Sequence, residues 1–180
     1  MADAGKHQLL ELDNRRRIYD HLKAAPGTHL RALQRELAMP IGTLEYHLYQ
    51  MEREGLLVTR EDGRFKSYFT QENLDRRDRD VLYYLRQEMP RRIALEVANE
   101  PGIRFQTLAG RLPISASTLS FHLKKLLHAH IVVEHAIGRE KAYTSPDAER
   151  VKKLVVQYRT TFVDDVVDRF ADAWLNLGLP

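Results

Sequence analysis

Cysteine is absent from all 180 residues. That excludes a disulfide framework, a thiolate metal site and a cysteine nucleophile, and it fits a reducing compartment. Long apolar runs are missing too. No segment approaches the roughly 18 uninterrupted apolar residues of a membrane span, and the opening MADAGKHQLL lacks the apolar stretch of a secretory signal. A cytoplasmic location is expected. No phosphate loop, glycine-rich fingerprint or acid pair of catalytic spacing is present, so an enzyme is not expected. Neither sign of charge dominates: 28 Lys and Arg against 25 Asp and Glu give a net charge of +3. The mild basicity permits an anionic partner without demanding one, so the clustering of charge decides. The 43% hydrophobic content is sufficient for one packed core or two small ones.

What the chain does have is a repeat. A shift of 75 positions aligns Arg16, Arg17 and Ile18 with Arg91, Arg92 and Ile93, and Pro26 and Gly27 with Pro101 and Gly102. The same shift, without a gap, sets Leu33 and Leu37 on Leu108 and Leu112, and Thr43, Leu44, His47 and Leu48 on Thr118, Leu119, His122 and Leu123. Further on, Gly63, Arg64, Lys66 and Tyr68 meet Gly138, Arg139, Lys141 and Tyr143. Two copies of one unit, 14–72 and 89–147, explain a register this long.

Each copy shows the same order of elements. NRRRIYDHLKAA puts Ile18 and Leu22 on one helical face and stops at Pro26–Gly27. A short second helix follows, with apolar residues at Leu30, Leu33 and Leu37, or at Phe105, Leu108 and Leu112. After a tight turn a third helix opens, with Pro40 suited to its first turn in copy one and Ser115 to an N-cap in copy two. LLVTREDGRFKSYF and IVVEHAIGREKAYT are β-rich runs around a turn holding Gly63 or Gly138. Three helices and a two-stranded hairpin describe a winged helix-turn-helix.

MPIGTLEYHLYQMEREGLL and ISASTLSFHLKKLLHAHIV resemble the DNA-reading segments of ArsR-like winged-helix transcriptional regulators, and EMPRRIALEV resembles that family's first core helix. The tandem arrangement is similar to two-domain regulators of archaea, over 14–145. The resemblance implies a transcription factor binding double-stranded DNA. The cysteine pair of that family's metal sensors has no counterpart in HLRALQREL or FQTLAGRL, so no metal or other cofactor is implied.

At about 100° per residue, Leu44, Leu48 and Met51 define the buried side of the third helix in copy one, as Leu119, Leu123 and Leu126 do in copy two. The outward side then holds Gly42, Glu45, Tyr46, Tyr49 and Arg53 in copy one, and Ser117, Ser120, Phe121, Lys124 and His128 in copy two. Hydroxyls near a helix N-terminus and a lysine further along suit phosphate and base edges. Copy two fits better: it carries Lys124 and Lys125 without an acid, whereas copy one sets Glu45, Glu52 and Glu54 against only Arg53. The expected DNA contacts are Thr43, Tyr46, Tyr49, Ser117, Thr118, Ser120, Phe121 and Lys124 on the helices, with Arg64, Lys66, Arg139 and Lys141 on the wings. His47 and His122 are expected as imidazoles packed at the domain edge and bonded to a backbone carbonyl. His128, His130 and His135 are three imidazoles that zinc could use, but their spacing spans a helix end and a strand and nothing equivalent exists in copy one, so no metal site is expected.

From Asp147 to Leu177 an apolar stripe runs through Val151, Leu154, Val155, Tyr158, Phe162, Val166, Phe170, Trp174 and Leu177 without proline or glycine. One helix of about 30 residues, roughly 45 Å long, is expected; its stripe can fold back on the two domains or pair with a second copy, and a homodimer through it is the favoured reading. The expected fold is mainly α with small β-hairpin wings: a first winged-helix domain at 1–72, a helical connector at 73–88 with Val81, Leu82 and Leu85 turned inward, a second domain at 89–145 and a dimerisation helix at 146–180. Tandem winged helices also serve as protein–protein adaptors, and the acids of copy one suit that role.

Overall fold

The computed structural model describes residues 2–62, 65–72, 74–138, 140–162 and 165–176. The chain divides into two compact units, Met1–Arg79 and Asp80–Pro180.

In the first unit, α1 (Ala2–Ala24) sends Ile18 and Leu22 into the core. The chain reverses at Gly27, whose φ of 83° suits a residue without a Cβ. There Thr28 Oγ1 donates to the Ala25 carbonyl at 2.6 Å. Two extended residues, β1 (Thr28–His29), precede α2 (Leu30–Leu37), and His29 caps that helix by accepting from the Ala32 N–H through Nδ1 at 3.2 Å. Ala38 ends α2 in the left-handed region at φ 51°. Pro40 is the N-cap of α3 (Ile41–Arg53), and the chain continues into β2 (Leu57–Asp62) and β3 (Phe65–Thr70). Ile18, Leu22, Leu33, Leu44, Leu48, Met51, Leu57 and Tyr68 form one cluster, so the side of α3 expected to be buried is the buried side.

In the second unit α4 (Arg76–Leu85), which begins in the first, buries Val81, Leu82 and Leu85 as expected, together with Tyr83 and Tyr84. Then come α5 (Glu88–Asn99), β4 (Ile103–Arg104), α6 (Phe105–Arg111), α7 (Ala116–His128), β5 (Val133–Ile137) and β6 (Glu140–Thr144). Ser115 caps α7 by accepting from the Thr118 N–H at 3.2 Å. The repeat register survives to the level of strand pairs: Thr28 lies opposite Tyr68, and Ile103 opposite Tyr143.

Two expectations need correction. The sheets are three-stranded, ordered β1-β3-β2 and β4-β6-β5, not two-stranded hairpins. The added strand is two residues long in each unit, closed by the Gly27 or Gly102 N–H donating at 2.9 Å to the Tyr68 or Tyr143 carbonyl. The tail, in turn, is not one helix. It forms α8 (Ala148–Gln157), a 3₁₀ turn (Arg159–Thr161) and α9 (Asp165–Asn176). At the break Thr161 Oγ1 donates to the Tyr158 carbonyl at 2.7 Å, and the Thr161 N–H donates to the same oxygen, so the backbone tightens there. Phe162 then packs under the guanidinium groups of Arg86 and Arg91, 4.6 and 4.9 Å from its ring centre. Arg86 also donates to Thr161 Oγ1 at 2.7 Å. The stripe residues Val151, Leu154, Val155 and Phe162 are buried within this unit. The side chains of Val166 and Trp174, and Leu177, lie outside the described residues.

No helix among the described residues is long and apolar enough to cross a membrane.

Candidate nucleic-acid interface

Each third helix offers its outward face to solvent. In α3, Tyr46 is 49% and Tyr49 57% exposed, with Glu45 and Arg53 exposed beside them and Thr43 half-buried near the N-terminus. The Arg53 guanidinium lies 5.7 Å from the Tyr49 ring centre. In α7, Phe121 is 55% exposed, Ser117 and Lys124 are exposed, and Thr118 and Ser120 are half-buried. Lys125 turns back over Phe121, its Nζ 5.0 Å from the ring centre. The α7 N-terminus carries linked hydroxyls, with Ser115 Oγ 2.9 Å from both Ser117 Oγ and Thr118 Oγ1. The α3 N-terminus has no side-chain cap.

In the second unit the structure brings expected contact residues from separate elements together. Ser120 and Lys124 of α7 and Lys141 of β6 line one cleft of about 300 Å³, with Phe105, Leu123, Glu134 and Tyr143. An adjoining cleft of about 250 Å³ shares Phe105 and Lys141 and adds Arg104, Gln106 and Glu140. The third helix and the hairpin thus form two sides of one open groove. Phe105, Glu134 and Tyr143 were not foreseen. Glu134 was findable in principle: once Gly138 fixes the hairpin, it falls diagonally across from Lys141 on the same face. Arg64 and Arg139 lie outside the described residues.

The wing lysines are not free cations. Lys141 Nζ sits 3.0 Å from Glu134 Oε1, and Lys66 Nζ sits 3.1 Å from Glu52 Oε2. The repeat achieves this in two ways: Glu52 on α3 has Leu127 as its counterpart, while Thr59 on β2 has Glu134. The carboxylate has moved from helix to strand and still meets the lysine. Glu52 also accepts from Thr59 Oγ1 at 2.8 Å. Burial alone would raise the Glu52 carboxyl, but the hydrogen bonds from Thr59 and Lys66 outweigh it and hold the group below its usual range. Burial, then the charge of Glu134 and a hydrogen bond to it, push the Tyr143 hydroxyl up to about 12.

These contacts revise the expected charge contrast. Of the three acids set against α3, Glu52 is held by the wing and Glu54 pairs with Arg15 of α1. Glu45 alone of the three faces outward without a hydrogen bond or ion pair among the described residues. In α7, Lys124 likewise has none.

The two histidines, both expected at the domain edge, are placed differently. His47 is buried, at 3% exposure, and meets the Tyr46 ring edge-on at 5.2 Å. His122 repeats the contact with Phe121 at 5.3 Å but is only half-buried. Its Nδ1 has no hydrogen-bond partner among the described residues, and burial followed by the nearby Lys125 charge holds its pKa below the usual value. Each imidazole braces the exposed aromatic beside it. His135 Nε2 lies 2.8 Å from Thr144 Oγ1 on the neighbouring strand. No cluster of His, Asp and Glu suited to a metal ion occurs among the described residues.

Residues 12–82 match a family described as an N-terminal HTH domain. A protein of Methanocaldococcus jannaschii named as an HTH-type transcriptional regulator is 30% identical over 138 residues, a stretch covering 77% of this chain and 34% of that relative. The chain therefore spans about a third of that relative's length.

Proposed function

We propose that this chain is a sequence-specific DNA-binding transcriptional regulator that uses α3 and α7 as reading helices of two winged helix-turn-helix domains, with the three-stranded sheets as wings. The observation that carries the reading is the groove of the second unit, where Ser120, Lys124 and Lys141 converge from helix and wing beside an exposed Phe121. Phosphate contacts fix such a domain on the duplex, and base-edge contacts from the reading helix choose the sequence. The HTH match over the first unit and the name carried by the archaeal relative support the same reading.

Dimerisation through the tail is a separate question. Val151, Leu154, Val155, Phe162, Val167 and Ala171 are already buried in a single chain. The first four of these and Phe170 and Tyr158, half-buried, belong to the expected stripe, so its buried part is covered without a second copy. Sedimentation of the full chain at micromolar concentration distinguishes the expected homodimer from a monomer.

The second reading, a protein adaptor, draws on Ile41, Tyr46 and Tyr49, all exposed in the first unit. Salt separates the two. Binding to a labelled duplex is expected to weaken steeply between 50 and 200 mM salt, whereas an apolar protein interface holds. Salt-independent binding to a protein, with no binding to any duplex, assigns the adaptor role instead.

A further inference from the structure

Glu45 presents a problem for a DNA-facing helix. It stands in the N-terminal half of α3, the part of a reading helix that reaches base edges, between the exposed Tyr46 and Tyr49 and the half-buried Thr43. Glu52 is held by Thr59 and Lys66, and Glu54 by Arg15, but Glu45 has no hydrogen bond or ion pair among the described residues, its charge reaching only the Tyr68 hydroxyl. Duplex DNA carries about one negative charge per 1.7 Å of axis, so an unpaired carboxylate on this face is repelled unless it meets a donor. An ionised carboxylate can only accept hydrogen bonds. The donors on the major-groove edge are the exocyclic amines of cytosine and adenine, and adenine sets the acceptor N7 beside its amine. Cytosine's own major-groove edge offers the donor alone, and its amine is the usual partner of a carboxylate.

We propose that Glu45 is a specificity-determining residue that accepts a hydrogen bond from the cytosine amine at one position of the operator and rejects guanine and thymine there. The inference rests on α3 being a reading helix. Its counterpart in α7 is Ser120, which donates or accepts and imposes no such choice. Every outward position differs between the two helices: Gly42 against Ser117, Glu45 against Ser120, Tyr46 against Phe121, Tyr49 against Lys124 and Arg53 against His128. One scaffold thus presents two reading surfaces, and the DNA site of one chain is a composite of two unlike half-sites rather than a direct repeat.

The test is selection of bound sites from random duplexes with the full-length wild type, Glu45→Gln, Glu45→Ser and the reciprocal Ser120→Glu, followed by titration of single-base variants. The Glu45 side chain is exposed, so unchanged melting of the Glu45 variants is the expected control. The wild type is expected to fix cytosine at one position. Glu45→Gln is expected to shift that position toward adenine, whose N6 and N7 suit an amide, and Glu45→Ser to lose its preference there, from on the order of tenfold to near unity. Ser120→Glu is expected to gain a cytosine preference in the other half-site. The proposal is overturned if all variants select the wild-type motif, whether affinity is unchanged or rises equally for every duplex, the latter being the mark of a carboxylate that only repels phosphate. A wild type that selects no motif removes the DNA reading itself and this inference with it.

Discussion

Lys124 is the residue on which the DNA reading makes its sharpest quantitative demand. Its ammonium is exposed on the groove side of α7 and has no ion pair among the described residues, whereas Lys141 across the groove already rests on Glu134 at 3.0 Å and Lys125 lies over the Phe121 ring. Replacing Lys124 with Ala therefore removes an uncompensated charge. If its partner is a phosphate, one released counterion is lost and the slope of log K against log salt falls by about 0.9. Over a fourfold rise from 50 to 200 mM, that makes the salt-induced weakening of the variant roughly 3.5-fold smaller than that of the wild type. At 50 mM the variant is expected to bind on the order of tenfold more weakly, the scale of one charge-assisted hydrogen bond. Lys141→Ala is expected to lose less, because its cation is partly neutralised before DNA arrives, and Arg53→Ala on α3 less again. Fluorescence anisotropy of a labelled duplex across salt measures all three. A wild-type slope with unchanged affinity in Lys124→Ala would refute the placement of DNA in this groove. Arg53→Ala as the most damaging change would make the first unit the principal binder.

Other expectations concern the fold. Ala38→Gly relieves a left-handed backbone at φ 51° and is expected to stabilise the first unit by about 0.5–1 kcal/mol by urea unfolding, the strain relief exceeding the added unfolded-state entropy. Phe162→Ala is expected to destabilise the second unit by about 3–4 kcal/mol, since the ring is buried under two guanidinium groups, and the loss should show in calorimetry as a lowered melting temperature. His29 caps α2 only when Nδ1 is unprotonated, and burial followed by Arg35 lowers its pKa. Its contribution is therefore present above pH 6.5 and is lost as pH falls through the lower folded value. His29→Asn, which caps without titrating, is expected to flatten the stability curve below pH 6.5, and an unchanged curve would remove His29 as the source.

The register of the repeat is legible in the sequence because it is written in residues with strong local meaning: Pro–Gly pairs that stop a helix, leucines at helical spacing, and glycines at hairpin turns. The fold of the helices and hairpins follows from those. The third strand of each sheet is not legible, since Thr28–His29 and Ile103–Arg104 are too short to show a period and are held in place by pairing with distant residues. The break in the tail is equally hidden. RTTF carries no proline or glycine, and the threonine hydroxyl that tightens the chain depends on Arg86, far away in sequence, to hold it.

For the candidate interface, exposure of Tyr46, Tyr49, Phe121 and Lys124 follows from helical angle alone once the buried leucines are known. The partners of the wing lysines do not follow, because comparing the copies position by position hides a carboxylate that sits on α3 in one and on β5 in the other. The acids of copy one read as a uniform cost to DNA binding for the same reason, whereas two of the three are internally paired.

The most direct test of the central claim is to let the full chain select from a library of random duplexes at 150 mM salt and then to titrate the best and a scrambled duplex side by side. The account predicts an enriched motif built of two unlike halves, bound at least about a thousandfold more tightly than the scrambled duplex, the lower range for specific over non-specific binding. Equal affinity for both duplexes, with no enriched sequence, would contradict it.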